Sequence, residues 1–103
     1  MSPTQRSLAH LRKAGYVAEV VEKKIPKVFI TKDLFGFIDV LAIRENEIVG
    51  VQATSGSNVA ARVAKITDAP LVDAVRKAGI RIVVHGWRKN ANGRWTLREV
   101  DCS

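Results

Sequence analysis

The chain has 103 residues, 47% of them hydrophobic, and 17 Lys plus Arg against 10 Asp plus Glu, for a formal charge of +7 and a pI near 10.1. That length supports one domain with a single core and excludes two, and the basic excess favours a polyanionic partner, most commonly nucleic acid. The single cysteine, Cys102, excludes an internal disulfide and a cysteine metal cluster, and strand-sized apolar runs without a signal-like N-terminus argue against secretion and membrane insertion, so a reducing cytoplasmic setting is expected.

In chain order, Ser2-Pro3-Thr4-Gln5 reads as a capping box opening a helix that runs to about Ala14 and closes at Gly15. Tyr16 to Val21 is a first strand. Lys23, Lys24, Pro26 and Lys27 punctuate the chain before Val28 to Thr31, either a short strand or the approach to the next one. Phe35 to Ile43 and Glu47 to Thr54 are apolar, β-branched and aromatic runs that read as a hairpin about Glu45-Asn46, with the positive φ assigned to Asn46. Ser55 to Asn58 is a polar turn in which Ser57 caps a helix through Ala60, Val63 and Ile66, helix capping being the preferred role over a phosphate cradle built from the same free N–H groups. Pro70 starts a second helical segment ending at Gly79. Ile80 to Trp87 is a buried strand, Lys89 to Gly93 a turn, and Arg94 to Val100 an edge strand open to a protein partner. The expected fold class is α/β, a mixed central sheet of α-β-β-β-α-β order with a last β added and helices on both faces.

A two-residue loop sets Ile43 opposite Ile48, Leu41 opposite Gly50 and Asp39 opposite Gln52, with Thr54 on the same face. Directly opposed side chains start about 5 Å apart, close enough to share one ion. A three-residue loop would put Ala53 opposite Asp39 and send Gln52 to the other face. Asp39 in an apolar strand needs a metal, an arginine or backbone amides, because an unpaired buried carboxylate is costly.

This order, with Gly36-Phe37-Ile38-Asp39, twelve residues, then Gln52-Ala53-Thr54 and a helix, resembles the PD-(D/E)XK nuclease superfamily, closest to its small virus-type and Holliday-junction-resolvase-like members, over roughly Ser2 to Trp87. The resemblance implies a restriction-endonuclease-like fold and a Mg2+- or Mn2+-dependent deoxyribonuclease. Asp39, Gln52 and the backbone carbonyl of Ala53 would be metal ligands, and Thr54 would occupy the place of the family's lysine. Thr54 carries no positive charge, so the cation would have to come from the following helix. By helical-wheel spacing Arg62 lies about 60–70° from the centre of the Val59, Val63, Ile66 stripe, with Lys65 farther round, so Arg62 is preferred and Lys65 is the substitute. The first helix lacks the acid some members place there, and Glu22 and Asp33 are the nearest replacements. The implied partner is DNA, branched or single-stranded, with a homodimer compatible with so small a gripping surface. The rival reading is a catalytically inactive nucleic-acid-binding module on the same fold.

Among the remaining residues, His10 is expected to face solvent and His85 to be a satisfied core or rim histidine. Trp87 and Trp95 flank the turn with Arg88, Lys89 and Arg94 between them. They either stack on bases or close the core or a dimer contact.

Overall fold

The computed structural model describes residues 1–103. Helix α1 (Pro3–Lys13) starts where Ser2 Oγ accepts the Gln5 N–H at 3.2 Å and Pro3 fills the first position, which has no intrahelical acceptor to lose. It stops at Gly15, whose φ of +94° lets the Tyr16 N–H return to the Leu11 carbonyl at 3.0 Å. Strand β1 (Val17–Val20) follows, then a two-strand hairpin of β2 (Lys23–Ile25) and β3 (Ile30–Lys32), then β4 (Val40–Arg44) and β5 (Glu47–Ser55). After a 3-10 turn at Gly56–Asn58 come α2 (Val59–Thr67), α3 (Val72–Lys77), β6 (Arg81–Lys89) and β7 (Trp95–Asp101). No helix is long and apolar enough to cross a membrane.

The chain is an α/β protein with a mixed five-strand sheet in the order β1-β4-β5-β6-β7. Only β5 and β6 run parallel, and their connection is the α2–α3 crossover that such a pairing requires. Strand alternation sends Val40, Ala42, Val49, Val51 and Val83 to one face, where Leu8 and Leu11 of α1 cover them. Ile82 and Val84 point to the other face, onto Val59 and Ile66 of α2, Val72 and Val75 of α3, and Phe37 and Ile38. Gly86 lets α2 approach the sheet closely, because a Cβ there would overlap the Val59 side chain. Gly86→Ala is therefore expected to cost about 1–3 kcal/mol by overpacking, read as a lower melting temperature; an unchanged melting temperature would show that α2 does not seat as described.

Four local expectations are corrected. The segment from Phe35 does not run straight into a strand: Phe35 (φ +56°) and Gly36 (φ +87°) turn the chain back, with Gly36 N–H on the Asp33 carbonyl at 3.0 Å, and β4 begins only at Val40. Left-handed residues cannot continue a pleated ladder. The residues from Lys23 to Lys32, expected to be punctuation and at most one short strand, pair with each other as β2 and β3. In the β4–β5 loop the positive φ falls on Glu45 (+53°), the first loop position, and not on Asn46. Ser57 does not cap α2; its Oγ faces Ser55 Oγ at 3.3 Å, and Asn58 stands at the cap position.

His85 and its neighbours tie α1 to the sheet. Ser7, wholly buried, accepts the Trp87 indole N–H at 2.8 Å and lies 2.9 Å from His85 Nδ1, while His85 Nε2 lies 3.2 Å from Glu99. Because Ser7 Oγ already accepts from Trp87, its own hydrogen is free for Nδ1, which leaves the Nε2 hydrogen for Glu99. Burial pushes the His85 imidazole below its ordinary pKa, with Glu99 acting the other way. His10, although exposed, sets its ring edge-on to His85 and Trp87 at centroid distances of 5.8 and 5.9 Å.

Candidate metal centre

Asp39 is held at the mouth of β4 by the backbone on both sides. Its N–H donates to the Val51 carbonyl and its carbonyl accepts the Val21 N–H, both at 2.8 Å, so it continues the ladder although β4 starts one residue later. The β4–β5 register sets Val40 opposite Val51, Leu41 opposite Gly50 and Ile43 opposite Ile48. The two-residue loop thus delivers Asp39 beside Gln52, on the face that α2 covers. Asp39 Oδ2 accepts from Gln52 Nε2 at 2.5 Å and from the Ala53 N–H at 2.9 Å.

Two more carboxylates converge there. Glu22 follows β1 and Asp33 follows β3, so the β2–β3 hairpin brings its two ends together at Asp39. Ligand atoms of Glu22, Asp33 and Asp39 all lie within 4.8 Å of one another. They open onto a cavity of about 270 Å³ lined also by Thr4 of α1, Thr31 of β3, Gln52, Ala53, Arg62 and Lys65. Lys65 reaches Asp33 Oδ2 at 3.1 Å and Gln52 Oε1 at 3.4 Å. Arg62 lines the cavity without an ion pair to any acid, so the preference for Arg62 over Lys65 is reversed in direct contacts. Both side chains line the cavity, as their shared side of α2 requires, but it is the Lys65 ammonium that lies within contact distance of Asp33 and Gln52.

The other named positions divide. Thr54 is buried on β5 but is not among the residues that line the cavity. Ala53 meets Asp39 through its N–H, not its carbonyl. Gln52 turns its nitrogen toward Asp39 and its oxygen toward Lys65, an orientation that a half-turn of the amide reverses. Thr4 and Thr31 escaped the sequence reading, since a threonine in a helix's first turn and one in a short strand carry no signal of a shared cavity.

Asp39 is 4% exposed and has no cationic partner of its own, since Lys65 pairs with Asp33. Burial pushes its carboxyl up to about 7, and the neighbouring Asp33 carboxylate pushes the same way, against the Ala53 and Gln52 hydrogen bonds. Three carboxylates packed this closely repel unless a proton or a cation sits among them. The oxygen-only donor set fits a hard divalent cation such as Mg2+ or Mn2+. Without metal, folded Asp39 holds its proton to about pH 7 whereas an unfolded aspartate releases it near 3.8. Between those values the folded state binds more protons, so this group's contribution to stability falls as pH rises. Asp39→Asn removes that penalty. In EDTA the melting temperature of Asp39→Asn should therefore gain on the unsubstituted protein from pH 5 to pH 8; a difference constant across that range would contradict the buried-carboxyl account.

A second polar constellation does not qualify as a catalytic site. Ser7, His85 and Glu99 share the hydrogen-bonding order of an acyl-transfer triad, but Ser7 has no exposure and already accepts the Trp87 N–H. A nucleophile must reach its substrate. Trp87 is buried against α1, while Trp95 is 44% exposed with the Arg6 guanidinium stacked 3.8 Å above its ring. Comparison with protein-family models and with curated proteins finds no match to this chain.

Proposed function

We propose that this chain is a metal-dependent nuclease of the PD-(D/E)XK superfamily, of restriction-endonuclease-like topology, that hydrolyses DNA phosphodiester bonds at the Asp39 cavity. The reading is carried by one observation: Glu22, Asp33 and Asp39 converge within 4.8 Å beside Gln52 and a lysine, in a protein of charge +7. An acidic cluster inside a basic domain is costly for folding alone. It is useful for presenting a divalent cation to a polyanion.

Glu22, Asp33 and Asp39 would hold Mg2+ or Mn2+, with Gln52 as a neutral oxygen donor. Such an ion would lower the pKa of a water bound to it and neutralise charge developing on the phosphate. Ala53 and Gln52 fix the Asp39 carboxylate by two hydrogen bonds, so the ligand is oriented before substrate arrives. Lys65 supplies the positive charge that Thr54 lacks, from the helix instead of the strand. Arg62, permanently protonated, serves as a phosphate-binding group and not as a base. Restriction of the site by α2 on one side and Thr4 of α1 on the other favours a flexible or branched strand over a rigid duplex.

The test is incubation of the pure protein with branched, single-stranded and duplex DNA plus manganese. EDTA-sensitive products are expected, and Lys65→Met should slow their formation by about 10²- to 10³-fold, as for removal of one electrostatic stabiliser. The rival reading, a silent DNA-binding module, draws on the uncharged, buried Thr54 at the lysine position and on the Lys65–Asp33 pair that already satisfies the cluster. DNA binding that persists after chelation with no product under any metal would establish it.

A further inference from the structure

The β2–β3 hairpin stands apart from the main sheet as its own two-strand ladder. An isolated hairpin of three-residue strands has little to hold it in water. Its composition makes matters worse. Residues 23 to 32 hold Lys23, Lys24, Lys27 and Lys32 and no acid, and none of the four lysines forms an ion pair within the chain. Lys23 stands directly opposite Lys32 in the register, a like-charge pairing that weakens a ladder. At the tip Phe29 is 98% exposed and adopts φ +51°, a left-handed conformation rarely taken by a bulky side chain. Ile25, Val28 and Ile30 beside it are also exposed.

Each of these features works against folding and suits one occupant. The arm springs directly from the candidate metal centre: Glu22 immediately precedes β2, Asp33 immediately follows β3, and Thr31 lines the acidic cavity. A phosphate backbone nearing three carboxylates is repelled, so the approach needs fixed positive charge beside the cluster. Four unpaired lysines supply it, and a projecting aromatic ring offers a face on which an unpaired base can stack.

We infer that the β2–β3 hairpin is a nucleic-acid-gripping arm, whose lysines bind the phosphates flanking the cavity and whose Phe29 stacks on an unpaired base of single-stranded or forked DNA. The placement beside the scissile site rests on the nuclease reading. The binding itself does not depend on cleavage.

Fluorescence anisotropy in EDTA, where no metal-dependent cutting occurs, separates the two. Lys24→Gln with Lys27→Gln is compared with Lys13→Gln with Lys77→Gln, an equal change in net charge at the ends of α1 and α3. On forked DNA the hairpin pair should lower the slope of log affinity against log salt by about 1.4–1.8, at about 0.7 for each single-strand phosphate or 0.9 for each duplex phosphate no longer neutralised, while the distant pair changes it little. Phe29→Ala should weaken binding to single-stranded and forked DNA roughly tenfold and spare blunt duplex. Equal slopes for the two pairs, or a Phe29→Ala loss as large on blunt duplex, would overturn the arm. So would a Phe29-dependent dimer on size exclusion without any effect on DNA binding, which would give the tip to a second copy of the chain. Hairpin-dependent binding without cleavage under any metal leaves the arm standing and removes the nuclease. EDTA-sensitive cleavage and binding that ignore the hairpin substitutions do the reverse.

Discussion

Asp39→Asn is expected to abolish manganese-dependent DNA cleavage, with a loss of at least about 10³-fold, comparable to or greater than removal of a single electrostatic stabiliser from an active site. The substitution keeps the shape and an oxygen acceptor for the Ala53 N–H, so the turn that carries it should survive. What it removes is the one carboxylate of the Glu22–Asp33–Asp39 cluster that is both buried and anchored to β5. Because the variant should fold, circular dichroism and thermal melting serve as controls. The readout is product formed per unit time on branched and single-stranded DNA. Unaltered cleavage by a folded Asp39→Asn protein would falsify the assignment of this cavity as the reaction centre.

Phe37→Ala should be the most damaging single change to stability, at about 3–5 kcal/mol. Phe37 is 1% exposed and packs with Ile38, Val59, Ile66 and Val84 on the face that α2 and α3 cover. A domain of this size typically has about 5–15 kcal/mol in total, so the loss is a large share of the whole. The melting temperature should fall by roughly 12–40 °C, at about 4–8 °C per kcal/mol. Phe37 also lies two residues before Asp39, in the turn that Gly36 makes possible. A cavity there loosens the path by which Asp39 reaches the cluster, so metal-dependent thermal stabilisation should diminish even below the melting range. A melting temperature within a few degrees of the parent would mean that the second core does not hold the fold together as described.

The legible parts of the fold were those governed by local rules. Ser2 and Pro3 open α1, Gly15 closes it, and the apolar, β-branched run over residues 47 to 54 marks β5. A two-residue loop at Glu45-Asn46 is enough to bring Asp39 and Gln52 together, because pairing counted outward from a tight turn leaves no freedom in register. Where local chemistry was ambiguous, reading failed. Gly36 followed by apolar residues resembles a strand interior as much as a turn, and only the left-handed Phe35 and Gly36 reveal which. The lysine-rich segment after β1 read as punctuation since charged residues have poor strand propensity, yet it closes as a hairpin.

The site divides along the same line. The chain on its own determined the charge of +7, the mixed α/β class and the β4–β5 pairing, all of which depend on composition, periodicity and one short turn. Only the tertiary structure decided that Glu22 and Asp33, eleven positions apart, meet Asp39, and that Lys65 rather than Arg62 touches the cluster. Those meetings depend on how a hairpin folds back and how a helix rotates about its axis. Both are set by packing against surfaces remote in sequence, and no local pattern of residues encodes them.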